Sequence, residues 1–231
     1  MKKLLLILLC LPMIGFGQVY IPDANFKAYL IGNTSINTNG DTEIQLSEAT
    51  AFNGTIHCGN MNIADLTGIE DFTALTELWC NNNQLTSLNV SQNTALTYLE
   101  CNFNQLTTLD VSQNTALTNL SCDHNQLTSL DMRNGNNINV VAFYTINNPN
   151  LTCINVDDAA WSTANWTAAN WEIDTQHYFS NNCPPTSIQE HTTNKELLKV
   201  TDLLGRKTKQ TNQPLFYIYD DGTVEKRIVI E

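Results

Sequence analysis

The most constraining feature of this 231-residue chain is a segment that repeats itself every 21 residues. Three clear copies, starting at Leu75, Leu96 and Leu117, read LTELWCNNNQLTSLNVSQNTA, LTYLECNFNQLTTLDVSQNTA and LTNLSCDHNQLTSLDMRNG. A unit this short cannot bury an apolar face by itself, so it must stack on neighbouring copies and share one core with them. The repeat therefore predicts a solenoid.

Each copy carries the pattern of a short strand followed by a turn. Leu78 and Cys80 alternate with polar or aromatic residues, so they should face the core of a parallel strand ladder while their neighbours face outwards. Asn83 and its equivalents lie where the chain leaves the strand, and an amide there can satisfy buried backbone groups. With so few residues per coil, we expect the return leg to be extended or 3₁₀.

The pattern resembles the leucine-rich repeat signature L-x-x-L-x-L-x-x-N/C-x-L, with cysteine replacing the third leucine. The resemblance implies a parallel ladder with a concave strand face. Degenerate copies extend the array to about five coils. They comprise Ile56 and Cys58 upstream, then Ile138, Val141 and Phe143, and, after about three inserted residues near Asn147-Asn148-Pro149, Leu151, Ile154 and Val156.

Both ends of the array carry residues suited to covering an exposed core. Asp23 can cap a short helix that places Phe26, Tyr29 and Leu30 on one face, against the first coil. At the other end, large aromatic residues should close the core, with a carbohydrate platform as the alternative. These aromatic residues are Trp161, Trp166 and Trp171.

The amino terminus and the charge distribution constrain where the chain works. Lys2 and Lys3 precede an apolar run from Leu4 to Phe16, which predicts a secretory signal peptide and no transmembrane segment. A lipoprotein cysteine at Cys10 is the alternative. Residues 18–186 hold two basic against 16 acidic residues, so nucleic acid and anionic membranes are poor partners, whereas cations or basic partners are compatible.

Residues 187–231 are balanced, with seven basic and seven acidic residues, and this change in charge marks a domain boundary. A strand at 197–200 and a hairpin around Asp220-Asp221-Gly222 are predicted. The segment resembles the C-terminal sorting domain of type IX secretion in Bacteroidota, which implies recognition by that secretion machinery; a structural β-appendage is the alternative. The resemblance rests on Leu204-Gly205-Arg206, Tyr217-Ile218-Tyr219, Gly222 and Lys226-Arg227.

The cysteines that remain after the signal peptide fall into two groups. Four form a column at the strand-core position, namely Cys58, Cys80, Cys101 and Cys122. Their side chains should point in parallel, which suits free buried thiols better than disulfides or a tetrahedral zinc site. Cys153 instead occupies the outward position of Ser87, Thr108 and Ser129, and we predict that it forms a disulfide with Cys183.

Residues 37–48 resemble an EF-hand loop and give the only cofactor hypothesis, a weak calcium site. Thr42 stands where that loop prefers glycine. The alternative is a polar turn that leads into the first coil. The candidate ligands are Asn37, Asn39, Asp41, the carbonyl of Glu43, and Glu48.

Outward residues on the concave strand face differ between copies while the core positions stay fixed, which indicates a surface free to specialise in binding. We predict a protein or glycan ligand there, with a structural display protein as the alternative. No catalytic motif or clustering of His57, His124, His177 and His191 indicates an enzyme. The candidate ligand-binding residues are Glu77, Trp79, Tyr98, Glu100, Asn102, Asp123 and Tyr144.

The predicted organisation is a leucine-rich repeat solenoid that is capped at both ends and followed by a small β domain. The protein is expected to be secreted or attached to the outer cell surface. The predicted parts are a signal peptide (1–17), an N-terminal cap (18–54), repeats (55–156), a C-terminal cap (157–186) and a sorting domain (187–231).

Overall fold

The computed structural model of the chain describes residues 17–167, 172–184, 197–201, 214–219 and 224–228. The chain divides into two compact units between Pro184 and Pro185. Several sequence predictions fall on residues outside the described ranges. They are the signal peptide up to Phe16, including Cys10, together with Trp171, His191, Leu204-Gly205-Arg206 and the Asp220-Asp221-Gly222 turn.

The described strands of the first unit are all three residues long, which is the length that the repeat allows before each turn. In chain order they are β1 (Thr55–His57), β2 (Glu77–Trp79), β3 (Tyr98–Glu100), β4 (Thr108–Asp110), β5 (Asn119–Ser121), β6 (Ser129–Asp131), β7 (Ala142–Tyr144), β8 (Cys153–Asn155) and β9 (Tyr178–Ser180).

Five of these strands form one parallel sheet in the order β1-β2-β3-β5-β7. Leu78 pairs with Leu99, and Leu99 pairs with Leu120, so the register advances by one 21-residue repeat per strand. Ile56 pairs with Leu78, as the upstream degenerate copy predicts. The parallel ladder and the five stacked coils are therefore confirmed.

The return legs form a second parallel sheet in the order β4-β6-β8-β9. Short 3₁₀ turns also lie on the return path, at Ile69–Asp71 between β1 and β2 and at Asn137–Asn139 between β6 and β7. The expectation of an extended or 3₁₀ return leg is confirmed. The strand at Tyr178–Ser180, which the repeat pattern does not contain, adds a further member to this sheet through its pairing with β8.

The core between the two sheets consists of columns in which each coil contributes the same type of side chain. Because the columns run from coil to coil, one continuous core forms, and no coil could exclude water alone. Fully or almost fully buried columns are Leu75, Leu96, Leu117 and Val140; Leu78, Leu99, Leu120 and Phe143; and Val90, Val111, Met132 and Val156.

The register of the fifth coil corrects one sequence prediction. Phe143 lies in the leucine column as predicted, but Ile138 and Val141 are 66% and 69% exposed, and Val140 is buried in place of Val141. Ala142 pairs with Asn119, a step of 23 residues, so two extra residues enter before Val140 and shift the apolar positions. Thr145 consequently takes the place of the column cysteine.

Buried asparagines at the turns form a ladder that links adjacent coils. In Asn104, Nδ2 donates to the carbonyls of Cys80 and Cys101 at 3.1 Å each, while Oδ1 accepts the N–H of Leu85 at 3.0 Å. Asn83, Asn125 and Asn148 make the same kinds of contact. The predicted role of the turn amides is confirmed, because each one satisfies backbone groups of two coils.

Three described helices lie outside the coils: α1 (Ala24–Gly32), α2 (Leu46–Ala51) and α3 (Ala159–Asn165). The carboxylate of Asp23 accepts the N–H groups of Asn25 and Phe26 and so caps α1. Phe26 and Leu30 of α1 are fully buried against the core. Within the described ranges, the helices are too short and too polar to cross a membrane.

At the other end of the first unit, the ring of Trp166 is 2% exposed and packs against Phe143, with ring centroids 4.7 Å apart. Trp161 meets Trp166 edge to face. The second unit contains a three-stranded antiparallel sheet of β10 (Leu197–Thr201), β11 (Pro214–Tyr219) and β12 (Val224–Ile228). β11 and β12 pair antiparallel, which is the pairing that the predicted hairpin requires.

Candidate recognition surface

The outward side chains of the five-stranded sheet form one continuous surface, which we call the strand face. Its two columns follow from the strand register. Successive positions in a column are about 4.8 Å apart, so neighbouring side chains touch. The first column contains Thr55, Glu77, Tyr98, Asn119 and Ala142, and the second contains His57, Trp79, Glu100, Ser121 and Tyr144.

Three aromatic side chains of the strand face pack as one stack. The rings of Trp79 and Tyr98 are nearly parallel, with centroids 4.8 Å apart and an interplanar angle of 11°. His57 covers the other side of Trp79 at 5.2 Å. Because both faces of Trp79 are covered while one face of Tyr98 has no ring against it, Tyr98 ends the stack towards β5.

The two glutamates of the strand face bind the polar atoms of these aromatic residues. Trp79 Nε1 donates to Glu77 Oε2 at 3.3 Å, and the hydroxyl of Tyr98 donates to Glu100 Oε2 at 3.2 Å. Burial raises the pKa of Tyr98, and the nearby Glu100 carboxylate and Tyr144 phenol raise it further. The stack is thus fixed in orientation by its own acidic partners.

Within residues 17–184, no lysine or arginine is paired with these glutamates. The basic side chains of residues 17–184 are Lys27 and Arg133, and each is already paired, with Glu43 and Asp131 respectively. Glu77 and Glu100 are half-buried and form no ion pair with another residue of 17–184. Uncompensated, partly desolvated carboxylates favour a cationic ligand.

The remaining predicted residues lie at the ends of this surface. Asn102 is half-buried and follows β3, and Tyr144 is 38% exposed on β7. Asp123 is only 7% exposed, because its carboxylate accepts the Ser121 hydroxyl and binds His124 Nδ1 at 2.8 Å. Asp123 is therefore held inside the turn and presents little of its charge outwards.

Two residues that the repeat comparison did not single out form a second aromatic pair at the edge of the strand face. The rings of Phe103 and His124 stack with centroids 4.0 Å apart, and Phe103 is 45% exposed. His124 Nε2 also contacts Asn147 Nδ2 at 2.8 Å. The sequence signal was available, since these residues replace Asn82 of the first copy at the equivalent position.

The cysteines are arranged as predicted. Cys153 and Cys183 form a disulfide that joins β8 to the segment after β9. Cys58, Cys80, Cys101 and Cys122 are free and fully buried in a column. Burial raises the pKa of Cys58 to about 12 and raises those of Cys80, Cys101 and Cys122 as well, so these thiols are unreactive in the folded protein.

The loop at residues 37–48 uses its oxygen atoms in internal hydrogen bonds. The Glu48 carboxylate accepts the backbone N–H groups of Thr38, Asn39 and Gln45. Burial raises the pKa of Glu48, but these hydrogen bonds outweigh that effect, so its pKa is lowered from the usual value. The Glu43 carboxylate is paired with Lys27.

This arrangement of the loop fits the polar-turn alternative, because a bound calcium ion would have to displace the N–H donors from Glu48. No group of three or more histidine, cysteine or acidic residues within the described ranges could hold a metal ion. Calcium binding stays a prediction, which calorimetric titration of the full chain against its Asp41→Ala variant tests.

Comparison with known proteins finds a partial similarity to internalins of Listeria monocytogenes. No family model matches the chain. Over 75 residues, 32% of its length, the chain is 39% identical to internalin J of Listeria monocytogenes, and it spans 8% of that protein. This similarity and the parallel ladder support a leucine-rich repeat architecture.

Solved structures with similar folds include the functional domain of internalin J, which is described as including a cysteine ladder. That domain is 30% identical with a TM-score of 0.43, and the match covers 58% of this chain and 36% of that one. An internalin F of the same species is 20% identical with a TM-score of 0.42, covering 59% of this chain and 43% of that one.

Proposed function

We propose that this protein is an exported recognition module that binds a protein or glycan ligand through the strand face and catalyses no reaction. The observation that carries the proposal is the Trp79–Tyr98 stack with its unpaired glutamates on an otherwise regular scaffold. Aromatic residues with a polar tip are enriched at binding surfaces, where they contribute large contact areas at low entropic cost. Similarity to an internalin supports the same reading.

The size of the strand face sets the expected strength of binding. Five strands, each about 10 Å long and spaced about 4.8 Å apart, offer about 240 Å², against about 800 Å² per partner in a standard interface. The proposed site, with Glu77, Trp79, Tyr98, Glu100 and Tyr144 at its centre, should therefore bind modestly or gain strength from several copies. Asn102 and Asp123 flank this centre.

A paired substitution tests the proposal. The full chain and its Trp79→Ala/Tyr98→Ala variant are each used to capture material from the surfaces of cells in the native environment. A Tyr20→Ala/Tyr178→Ala variant is the matched control, because these tyrosines are 74% and 49% exposed and lie outside the strand face. Capture should fall for the first variant alone. Equal capture by all three proteins would instead favour a structural display role.

We further propose that residues 1–17 direct export and that residues 18–54 and 157–186 cap the repeats of 55–156. Residues 187–231 then act as a sorting domain of the Bacteroidota type IX kind, which would leave the protein secreted or on the outer cell surface. The resemblance at Tyr217-Ile218-Tyr219 and Lys226-Arg227 supports the sorting role. A chain truncated at Pro185 should stay inside the cell. If that chain is exported normally, residues 187–231 are only a structural appendage.

A further inference from the structure

We propose that the strand face contains a slot for a planar cation, formed by Tyr98 and Tyr144 on either side of Ser121, and that it binds an arginine side chain of a basic protein segment. This inference rests on the proposed function and names the chemistry of the ligand. The site, which we call the arginine slot, comprises Tyr98, Tyr144, Ser121 and Glu100.

The strand register creates the slot. Tyr98 lies on β3 in the first column, whereas Tyr144 lies on β7 in the second column, next to Ser121 of β5. Tyr98 stacks on Trp79 and donates to Glu100, which are both in the second column, so its ring is brought across to the column of Ser121 and Tyr144. Two strand steps amount to about 10 Å. On β5 the outward positions hold the short side chains of Asn119 and Ser121, so the side chains of β5 do not fill the space between the two tyrosines.

The width of the slot suits one planar group. A flat group in van der Waals contact with a ring on each side needs about 7 Å between the rings. The spacing of two strand steps exceeds this distance by about 3 Å, so the Tyr144 ring, which is 38% exposed, must rotate towards Tyr98 when the ligand binds. The face of Tyr98 that Trp79 leaves uncovered is the one that borders this space.

The charge of the surroundings selects a cation. Residues 18–186 carry a net charge of −14, and the two basic side chains of that segment are both paired away from the strand face. Glu100 lies in the same column as Ser121 and Tyr144, so its carboxylate borders the slot. A cation between two aromatic faces and beside a carboxylate gains from both.

Arginine fits better than lysine at such a site. The guanidinium is planar and stacks on aromatic faces while its edge donates in parallel to a carboxylate, whereas the ammonium of lysine is a compact, strongly hydrated charge. A neutral sugar would leave Glu100 without a cation. The observations therefore favour a basic protein segment over a glycan.

The test measures binding of the full chain to three labelled eight-residue peptides that alternate glycine with arginine, lysine or citrulline. Citrulline has the planar shape of arginine without its charge. We expect the arginine peptide to bind most tightly and the citrulline peptide about tenfold more weakly, in line with the range for cation–π contacts. The affinity for the arginine peptide should also fall as salt rises from 0.05 to about 0.3 M.

Two variants separate the slot from the rest of the strand face. Ser121→Leu fills the slot without removing a ring or a charge, although it also removes the hydroxyl that donates to Asp123. Ser129→Leu, at a half-buried serine of β6 in the other sheet, is the control. Ser121→Leu should weaken arginine-peptide binding about tenfold, whereas Ser129→Leu should not change it. Equal binding of all three peptides, or equal binding by the two variants, overturns the slot.

The outcome also distinguishes the slot from the proposed function. Trp79 lies outside the slot, so a single Trp79→Ala substitution that abolishes capture of cell-surface material supports the strand face whatever the peptides do. If Trp79→Ala lowers capture but Ser121→Leu does not, the slot fails and the proposed function stands. If neither lowers capture, the proposed function fails, and peptide binding by itself decides whether the slot exists.

Discussion

Substituting one asparagine of the ladder should destabilise the protein more than the small size of that side chain suggests. In Asn104→Ala the N–H of Leu85 loses its acceptor in a fully buried position. An orphaned buried donor costs about 1–3 kcal/mol. The carbonyls of Cys80 and Cys101 each keep a second donor, from Asn83 and Asn125 respectively, so their loss is smaller.

Adding about 0.5 kcal/mol for each weakened carbonyl gives an expected loss of about 3 kcal/mol in the free energy of unfolding. For a unit of this size, that corresponds to a fall in Tm of about 6–12 °C. Urea unfolding followed by tryptophan fluorescence measures the first quantity, and thermal melting followed by circular dichroism measures the second.

Two further variants isolate the mechanism. Gln105→Ala removes a neighbouring exposed amide and should change the stability by less than about 0.5 kcal/mol. Asn104→Asp keeps an acceptor for Leu85 but turns a carboxylate towards two carbonyls, which raises its pKa in the folded state. The loss in the free energy of unfolding caused by Asn104→Asp should therefore become smaller as the pH falls. A loss for Asn104→Ala no larger than that for Gln105→Ala would refute the role assigned to the ladder.

Three other predictions concern the ends and the core. Replacing Cys153 and Cys183 together by serine should lower the free energy of unfolding by about 3–4 kcal/mol, and intact mass of the unreduced full chain should show two hydrogens fewer than the reduced chain; an unchanged mass would exclude the bond. Thiol reagents should label Cys58 and the other column cysteines only after unfolding, and rapid labelling of the native protein would contradict their burial. Burial lowers the pKa of His177 from its usual 6.5 despite the nearby Asp174. The unfolded chain therefore binds a proton to His177 more readily than the folded chain does. The stability that His177 contributes is complete above about pH 6.5 and is lost as the pH falls through the pKa of the folded state. A plot of urea midpoint against pH should therefore have a different slope for the wild type and for His177→Phe.

The parts of the fold that follow from spacing alone were predictable from the sequence. Leu78, Leu99 and Leu120 recur at a fixed interval, and a fixed interval in a stacked array dictates strand register, core column and turn position together. The Cys153–Cys183 bond was predictable for the same reason, because Cys153 breaks a column of hydroxyl residues.

The parts that depend on insertions were less predictable. Near residue 140 the repeat lengthens by two residues, and both Val140 and Val141 are valines, so composition could not show which one faces inwards. The pairing of Tyr178–Ser180 with β8 depends on a segment outside the repeat, and no periodicity marks it. In both places the tertiary context decides between locally equivalent choices.

The candidate site likewise contains features that were predictable from the sequence and features that were not. Trp79 and Tyr98 were predicted as outward residues, but their stacking depends on a diagonal contact between adjacent strands that spacing does not reveal. The burial of Asp123 depends on hydrogen bonds from Ser121 and His124, which a linear pattern cannot anticipate. Position in the repeat predicts which way a side chain points, whereas its neighbours determine how much of it a ligand can reach.

The turn after each strand affects both the stability of the solenoid and the side chains that lie beside the strand face. The second residue after each column position, from Asn60 to Asn147, is left-handed, with φ between 51° and 61°. Three of these five residues are asparagines, which tolerate this conformation. Phe103 and His124 occupy the same position at a cost of about 1–2 kcal/mol each relative to ordinary backbone. They persist because the next residues, Asn104 and Asn125, tie the turn to two coils and so fix its backbone.

The ladder therefore permits exposed aromatic side chains at a position that local preference reserves for asparagine, directly beside the strand face. Weakening the ladder at Asn104 should release the strain at Phe103 and with it the Phe103–His124 stack. The same rung thus controls both the stability of the solenoid and the shape of the edge that a ligand would meet.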